Sequence, residues 1–196
     1  MFSDGGNVIN SDFAFKQTDI DGVMIITPFL RSDERGFFLK DYNEEVFQKF
    51  GLDYSVREVF YSYSKKNTIR GLHFQRDPQM PKLVRCLAGK IYDVAVDLRS
   101  GSTTFGKHIG IELSEENNLS LLVPSGCAHG FFAVSDAYVS YKCAEIFAPE
   151  TDDGIIWSDS EIGINWPFEY ISDVIISEKD ADLQTFAAFK GSYGSL

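Results

Sequence analysis

Three histidines, His73, His108 and His129, are all the chain contains, and histidine is the side chain best suited to move protons near neutral pH. His73 lies in Asn67-Thr-Ile-Arg-Gly-Leu-His-Phe-Gln, with Arg70 upstream and a glycine between that permits close backbone approach. Two readings fit this stretch: a strand histidine satisfied by a carbonyl, or a general base beside a cationic clamp. His129, in Pro124-Ser-Gly-Cys-Ala-His-Gly-Phe-Phe, sits where a turn runs into a strand, and reads first as packing. His108 follows Lys107 with no motif around it and reads as surface. Neither HxH nor HExxH occurs, so a three-ligand metal site would have to be scattered along the chain, and none is expected.

Three further residues could take part. Lys82 follows the turn Arg76-Asp-Pro-Gln-Met-Pro and opens a strand, where a lysine commonly guards an edge. Tyr141 shares one face with Val139 by the two-residue alternation of a strand, and a core tyrosine with a bonded hydroxyl would explain it. Asp180 stands three residues after Ser177, as the acidic partner of a helix cap does. Taken singly, each has a sufficient structural explanation.

The elements that must position these residues are mostly strands. Gly22-Val-Met-Ile-Ile-Thr-Pro is short, β-branched and closed by Pro28. Strands are predicted at 82–86, 90–98, 108–113, 119–123, 130–134 and 138–146, separated by turn signals such as Ala88-Gly89 and Ser100-Gly101-Ser102. That spacing, with no helical pattern between, predicts an antiparallel sandwich or barrel rather than a βαβ fold. Residues 41–51 form a helix candidate with Asn43 as cap and Gly51 as stop. A short helix opening at Ser177 is predicted to carry Leu183 and Phe186. Residues 1–20 read as an N-terminal arm or edge strand, and 21–196 as a single domain.

Composition narrows the partners. The chain has 196 residues, enough for one domain with a real core. With 18 basic against 29 acidic side chains its formal charge is −11, which repels nucleic acid and anionic lipid alike. An anionic ligand therefore needs a locally basic pocket. Three cysteines without CxxC spacing suggest neither a disulfide framework nor a zinc knuckle. Apolar runs are far too short to span a membrane, and no leader pattern opens the chain. A cytoplasmic protein with reduced thiols is expected.

Together the candidates form an ordered string: Asp33-Glu-Arg-Gly-Phe-Phe, Arg70-Gly-Leu-His-Phe-Gln, Lys82-Leu-Val-Arg-Cys, Asp93-Val-Ala-Val-Asp-Leu-Arg, Pro124-Ser-Gly-Cys-Ala-His-Gly-Phe, Tyr141-Lys, Gly163-Ile-Asn-Trp-Pro and Ser177-Glu-Lys-Asp. This string resembles the dTDP-4-dehydrorhamnose 3,5-epimerase family from about Gly22 to about Asp182. The resemblance implies an all-β, antiparallel, cupin-like jelly-roll barrel with a few short peripheral helices. It also implies a homodimer without metal or other cofactor, acting on a nucleotide-diphosphate 4-keto-6-deoxy sugar held inside the barrel. By the family pattern His73 is the base, Asp180 its orienting carboxylate, Tyr141 the acid on the opposite ring face, and Lys82 and Arg70 the cations at the oxyanion and phosphate. His129 joins the substrate-binding set, and Arg35 and Phe38 fall where the family contacts the nucleotide, partly across the dimer.

Three stretches depart from the family pattern. Lys40 stands where glutamate is common, Glu58-Val-Phe-Tyr-Ser62 replaces Gln-Asp-Asn-His-Ser, and Phe147 stands where a second tyrosine is common. These positions lie in or near the nucleotide-contacting region, so Lys40, Glu58, Phe60 and Phe147 leave the base open, with the two phenylalanines favouring stacking. The expected activity is epimerisation at C3, C5 or both in deoxysugar biosynthesis. The rivals are a 3-epimerase or ketoisomerase on another nucleotide, and a non-catalytic sugar-nucleotide-binding jelly roll.

Overall fold

A computed structural model describes residues 8–10, 13–168 and 174–196. The remainder of the expected N-terminal arm, residues 1–7 and 11–12, lies outside the described residues. Short β-branched and aromatic runs separated by turns give fourteen strands among the described residues. They are β1 (Val8–Asn10), β2 (Phe13–Gln17), β3 (Met24–Thr27), β4 (Phe29–Asp33), β5 (Gly36–Lys40), β6 (Glu58–Ser64) and β7 (Ile69–Gln75). The second half supplies β8 (Lys82–Ala88), β9 (Lys90–Asp97), β10 (His108–Ser114), β11 (Ser120–Val123), β12 (Cys127–Ala133), β13 (Ala137–Cys143) and β14 (Asp152–Gly154).

Two antiparallel sheets face each other as a jelly-roll barrel, the architecture expected from the sequence. One sheet has the order β1-β2-β3-β11-β8-β13-β6 and the other β10-β9-β12-β7-β14, while β4 and β5 form a separate hairpin. Alternation along the strands gives each face its own neighbours. Val84, Cys86, Val139 and Tyr141 from the first sheet meet Ile91, Ala95, Leu113 and Phe131 from the second, and fill the space between the sheets. On the far side of the second sheet, Leu72, Phe74, Val96 and Phe132 pack under Trp166, Phe186 and Phe189. On the far side of the first, Phe15, Ile26, Leu83 and Leu122 are covered by Phe47 and Tyr54.

Three short helices lie at the periphery. Helix α1 (Glu44–Lys49) begins where expected, with the Asn43 side chain accepting from the Val46 amide, and Gly51 ends it at φ +90°. The C-terminal helix differs from expectation: it is two helices, α2 (Glu178–Ala181) and α3 (Phe186–Ser192). Thr185 caps α3, its hydroxyl accepting from Ala188, so Leu183 falls in the connection and only Phe186 is helical. None of the helices in the described residues is long and apolar enough to cross a membrane.

Candidate active site

Strict alternation would place Arg70 and His73 on opposite faces of β7, three residues apart. The structure puts both on the lining of one cavity. The cause is a bulge: His129 pairs with His73 but Phe131 pairs with Arg70, so three steps along β7 match two along β12. Gly71 makes this possible. Its φ is +95°, and a Cβ there would stand 2.6 Å from the His129 carbonyl oxygen and 2.9 Å from Gly130 Cα. Released from the ladder, the Gly71 amide donates to Asp180 Oδ2 at 2.9 Å.

Asp180 itself comes from α2, whose first turn is capped by Ser177. Its other oxygen, Oδ1, accepts from His73 Nε2 at 2.9 Å. Burial alone would raise the Asp180 pKa, but these two donors outweigh it and hold the carboxyl below its ordinary value. With Nε2 carrying its proton to a carboxylate, the His73 Nδ1 lone pair is available as a base.

The cavity lies between the sheets and opens to solvent. Lys82, His129, Phe60, Tyr141 and Phe147 share its lining with Arg70 and His73. Lys82 sits at the start of β8 and is buried, not the exposed edge lysine its context first suggests. Burial lowers its pKa, opposed by Cys143, Asp152 and Asp93. Tyr141 projects from β13 on the sheet facing His73, 7% exposed, with Ser62 3.3 Å from its hydroxyl. Burial pushes its pKa up, which keeps it a phenol across the neutral range. Phe60, its register partner, stacks on it at 4.8 Å, and His129 meets its edge at 6.1 Å.

His129 is fully within β12, which starts two residues before it. Its Nε2 donates to Asp93 Oδ1 at 2.8 Å, and the buried ring also lines the cavity. Asp93 has no exposed surface, and burial pushes its pKa up. The remaining sequence candidates fall elsewhere. Glu58, on β6, accepts from the Phe147 amide at 2.8 Å and so fixes the loop that carries Phe147, without lining the cavity. Arg35, Phe38 and Lys40 belong to the β4–β5 hairpin, where Arg35 is bound by Asp33 and Phe38 is 61% exposed.

Sequence reasoning missed Ser62, Met80, Phe131 and Asp152, all on the lining. Phe131 was legible in principle, two residues after His129 on one strand face. Asp152 lies in a stretch whose pattern is loop-like and gave no signal. Among the described residues no group of three His, Cys, Asp or Glu side chains could hold a metal ion.

A cavity holding a histidine–carboxylate pair, a buried lysine and a buried phenol on the facing wall can remove and return protons at carbon. Comparison with known proteins points the same way. The family model for dTDP-4-dehydrorhamnose 3,5-epimerase matches residues 17–188. The dTDP-4-dehydrorhamnose 3,5-epimerase of Methanothermobacter thermautotrophicus is 48% identical over 87% of this chain and 92% of its own. The crystal structure of the enzyme of that name from Elizabethkingia anophelis superposes with a TM-score of 0.85 at 40% identity, covering 90% of this chain and 97% of the other. A dTDP-6-deoxy-D-glucose-3,5-epimerase from Legionella pneumophila, solved with dTDP-4-keto-L-rhamnose, gives 0.84 at 38% identity over 88% and 92%. With both the ordered motifs and the barrel in common over nearly the whole domain, the chain belongs to the dTDP-4-dehydrorhamnose 3,5-epimerase family of carbohydrate isomerases.

Proposed function

We propose that the protein epimerises C3 and C5 of a dTDP-linked 4-keto-6-deoxyhexose in deoxysugar biosynthesis. The observation that carries this reading is the placement of the His73–Asp180 pair on one sheet and Tyr141 on the facing sheet, across one cavity with Lys82. The protons on C3 and C5 are acidified by the C4 ketone between them. His73 Nδ1 takes one, the electron pair moves into the C4 carbonyl, and an enolate forms. Asp180 steadies the imidazolium, a general-base contribution of about 10²–10⁴ in rate.

Negative charge on the C4 oxygen is met by the Lys82 ammonium, worth about 3 kcal/mol in a site from which water is excluded. Tyr141 then gives its proton to the carbon from the other ring face, and the configuration inverts. The proton balance is restored through solvent: His73 releases one and Tyr141 regains one. No electron leaves the sugar, so the steps need no redox partner.

The dTDP carrier is favoured by the relatives' names and by the ligand of the Legionella structure. Arg70 meets the diphosphate at the mouth, where its guanidinium is anchored by Ser64 Oγ at 2.9 Å and the Tyr63 carbonyl at 3.1 Å. Phe147, at the mouth, offers a stacking face.

A homodimer fits the exposed hairpin. Phe37 and Phe38 are 62% and 61% exposed on a two-stranded sheet that alone is marginal in water. Such a hairpin is stabilised by a second copy, and would bring Arg35, Phe38 and Lys40 to the partner's nucleotide. Three cysteines, all buried thiols, suit a reducing cytoplasm.

The test is solvent exchange. Incubated in D₂O with dTDP-4-keto-6-deoxyglucose, the wild-type protein is expected to place deuterium at C3 and C5, read by NMR. An absence of exchange, or a His73→Ala protein exchanging at the wild-type rate, overturns the reading. In a thermal-shift panel, dTDP is expected to raise the melting temperature above UDP, GDP and CDP.

A further inference from the structure

A pocket for a diphosphate sugar gains nothing from a negative wall, yet one carboxylate stands among the residues lining the cavity: Asp152. It opens β14, the edge strand beside β7, where it pairs with Gln75 while Gly154 pairs with His73. Its side chain is only 10% exposed. Oδ2 accepts from Lys179 at 2.6 Å, a residue on α2 next to Asp180. Oδ1 has no hydrogen bond among the described residues.

Lys82 presents the complementary situation. Its ammonium is buried at the cavity, with no hydrogen bond or ion pair among the described residues. The groups whose charge acts on it are Cys143, its register partner on β13, Asp93 on β9 and Asp152 on β14, with Arg70, His73, His129 and Tyr141 around the same cavity. Cys143 cannot supply charge near neutral pH, because burial pushes its thiol up to about 11. Asp93 is already engaged by His129 at 2.8 Å. Its other oxygen has no partner, but burial disfavours its ionised form, and Asp93 does not line the cavity. Asp152 is the one carboxylate on the lining that Lys82 shares.

We infer that Asp152 is a positioning residue, the carboxylate that keeps Lys82 charged and directed into the cavity, whether or not Lys179 pairs with its outer oxygen. This rests on the epimerase reading above, in which Lys82 must be an ammonium when the enolate forms. A carboxylate stabilises the nearby charged lysine, so removing it lets the Lys82 proton leave at lower pH.

The experiment is the pH profile of C3 and C5 exchange for wild-type, Asp152→Asn, Asp152→Glu and Lys179→Met proteins. Asp152→Asn is expected to move the alkaline limb about one pH unit toward neutral, a tenfold loss on that limb. KM should stay within about twofold, and Asp152→Glu should restore the limb. Lys179→Met should leave the limb in place. An unmoved limb in Asp152→Asn overturns the inference, as does a rise in KM alone, which would mark a sugar contact. A Lys179→Met profile that copies Asp152→Asn also overturns it, since Asp152 would then only latch α2. Asp152→Ser carries the same test if the amide variant does not fold. NMR titration of the Lys82 Nζ without substrate reads the same displacement, so the inference stands or falls there even if the wild-type protein does not exchange.

Discussion

His73 and His129 are direct register partners on neighbouring strands, and each gives its Nε2 to a different carboxylate, Asp180 at 2.9 Å and Asp93 at 2.8 Å. Only their surroundings separate them. The His73 side chain is 30% exposed, and Asp180 is held by a backbone amide as well as the ring. His129 is 6% exposed over a carboxylate whose second oxygen, Oδ2, is buried without a partner. Hydrogen bonding holds the Asp180 carboxyl down, whereas burial raises that of Asp93. The pair with the ionised, doubly held carboxylate and the accessible ring is the one suited to take a proton from carbon.

If the pair acts as a unit, its two halves are not additive. His73→Ala is expected to reduce C3 and C5 exchange by about 10²–10⁴. Asp180→Asn should cost a comparable factor, since an amide no longer fixes the tautomer. The double variant should be no slower than His73→Ala alone. Exchange rates of the four proteins, with circular dichroism to confirm folding, check this. A double variant slower by the product of both factors would show independent roles.

Tyr141→Phe separates removal of the proton from its return on the other face. The His73 side of the cavity is untouched, so deuterium should still enter at C3 within about tenfold of the wild-type rate. Inverted product should fall by about 10² or more. The measurement is deuterium content against stereochemistry of the sugar after reduction. Equal loss of both would remove Tyr141 from the acid's role.

Asp97 sets an acid limit to stability. It has no exposed surface, and accepts from Arg99 Nε at 2.8 Å, Ser102 Oγ at 2.5 Å and Thr104 Oγ1 at 2.6 Å. Burial opposes ionisation, but these donors win and hold its pKa far below the ordinary carboxylate value. A folded-state pKa below the unfolded one stabilises fully above the unfolded value, and that stability drains as pH falls from about 3.9 toward the folded pKa. Asp97→Asn should therefore cost about 2 kcal/mol or more at pH 7. In urea melts the gap to wild type should narrow below pH 4. A gap constant with pH would mean that charge is not what Asp97 contributes.

What could be read in advance followed from short-range rules. Tyr141 and Val139 share the inner face of β13 because strands alternate, and Asn43 caps α1 because its oxygen reaches an orphan amide. The long-range pairings had no such rule behind them. Asp93 opens the motif Asp93-Val-Ala-Val-Asp-Leu-Arg, but its partner His129 lies 36 positions away in sequence. Arg70 and His73 share a cavity only through a bulge, which alternation alone forbids. Asp152 joins the site because β14 adds to the edge of a sheet, a tertiary event that three polar and glycine residues do not announce.

The alternation of β13 carries one more consequence. Tyr141 faces the cavity, whereas its neighbour Lys142 faces the other way and binds Asp41 at 2.5 Å. A single inserted or deleted residue in that strand would exchange the two, placing an amine where a phenol belongs and a ring where an ion pair belongs. A change in strand length therefore reaches the cavity wall unless a bulge takes it up, as the one between β7 and β12 does.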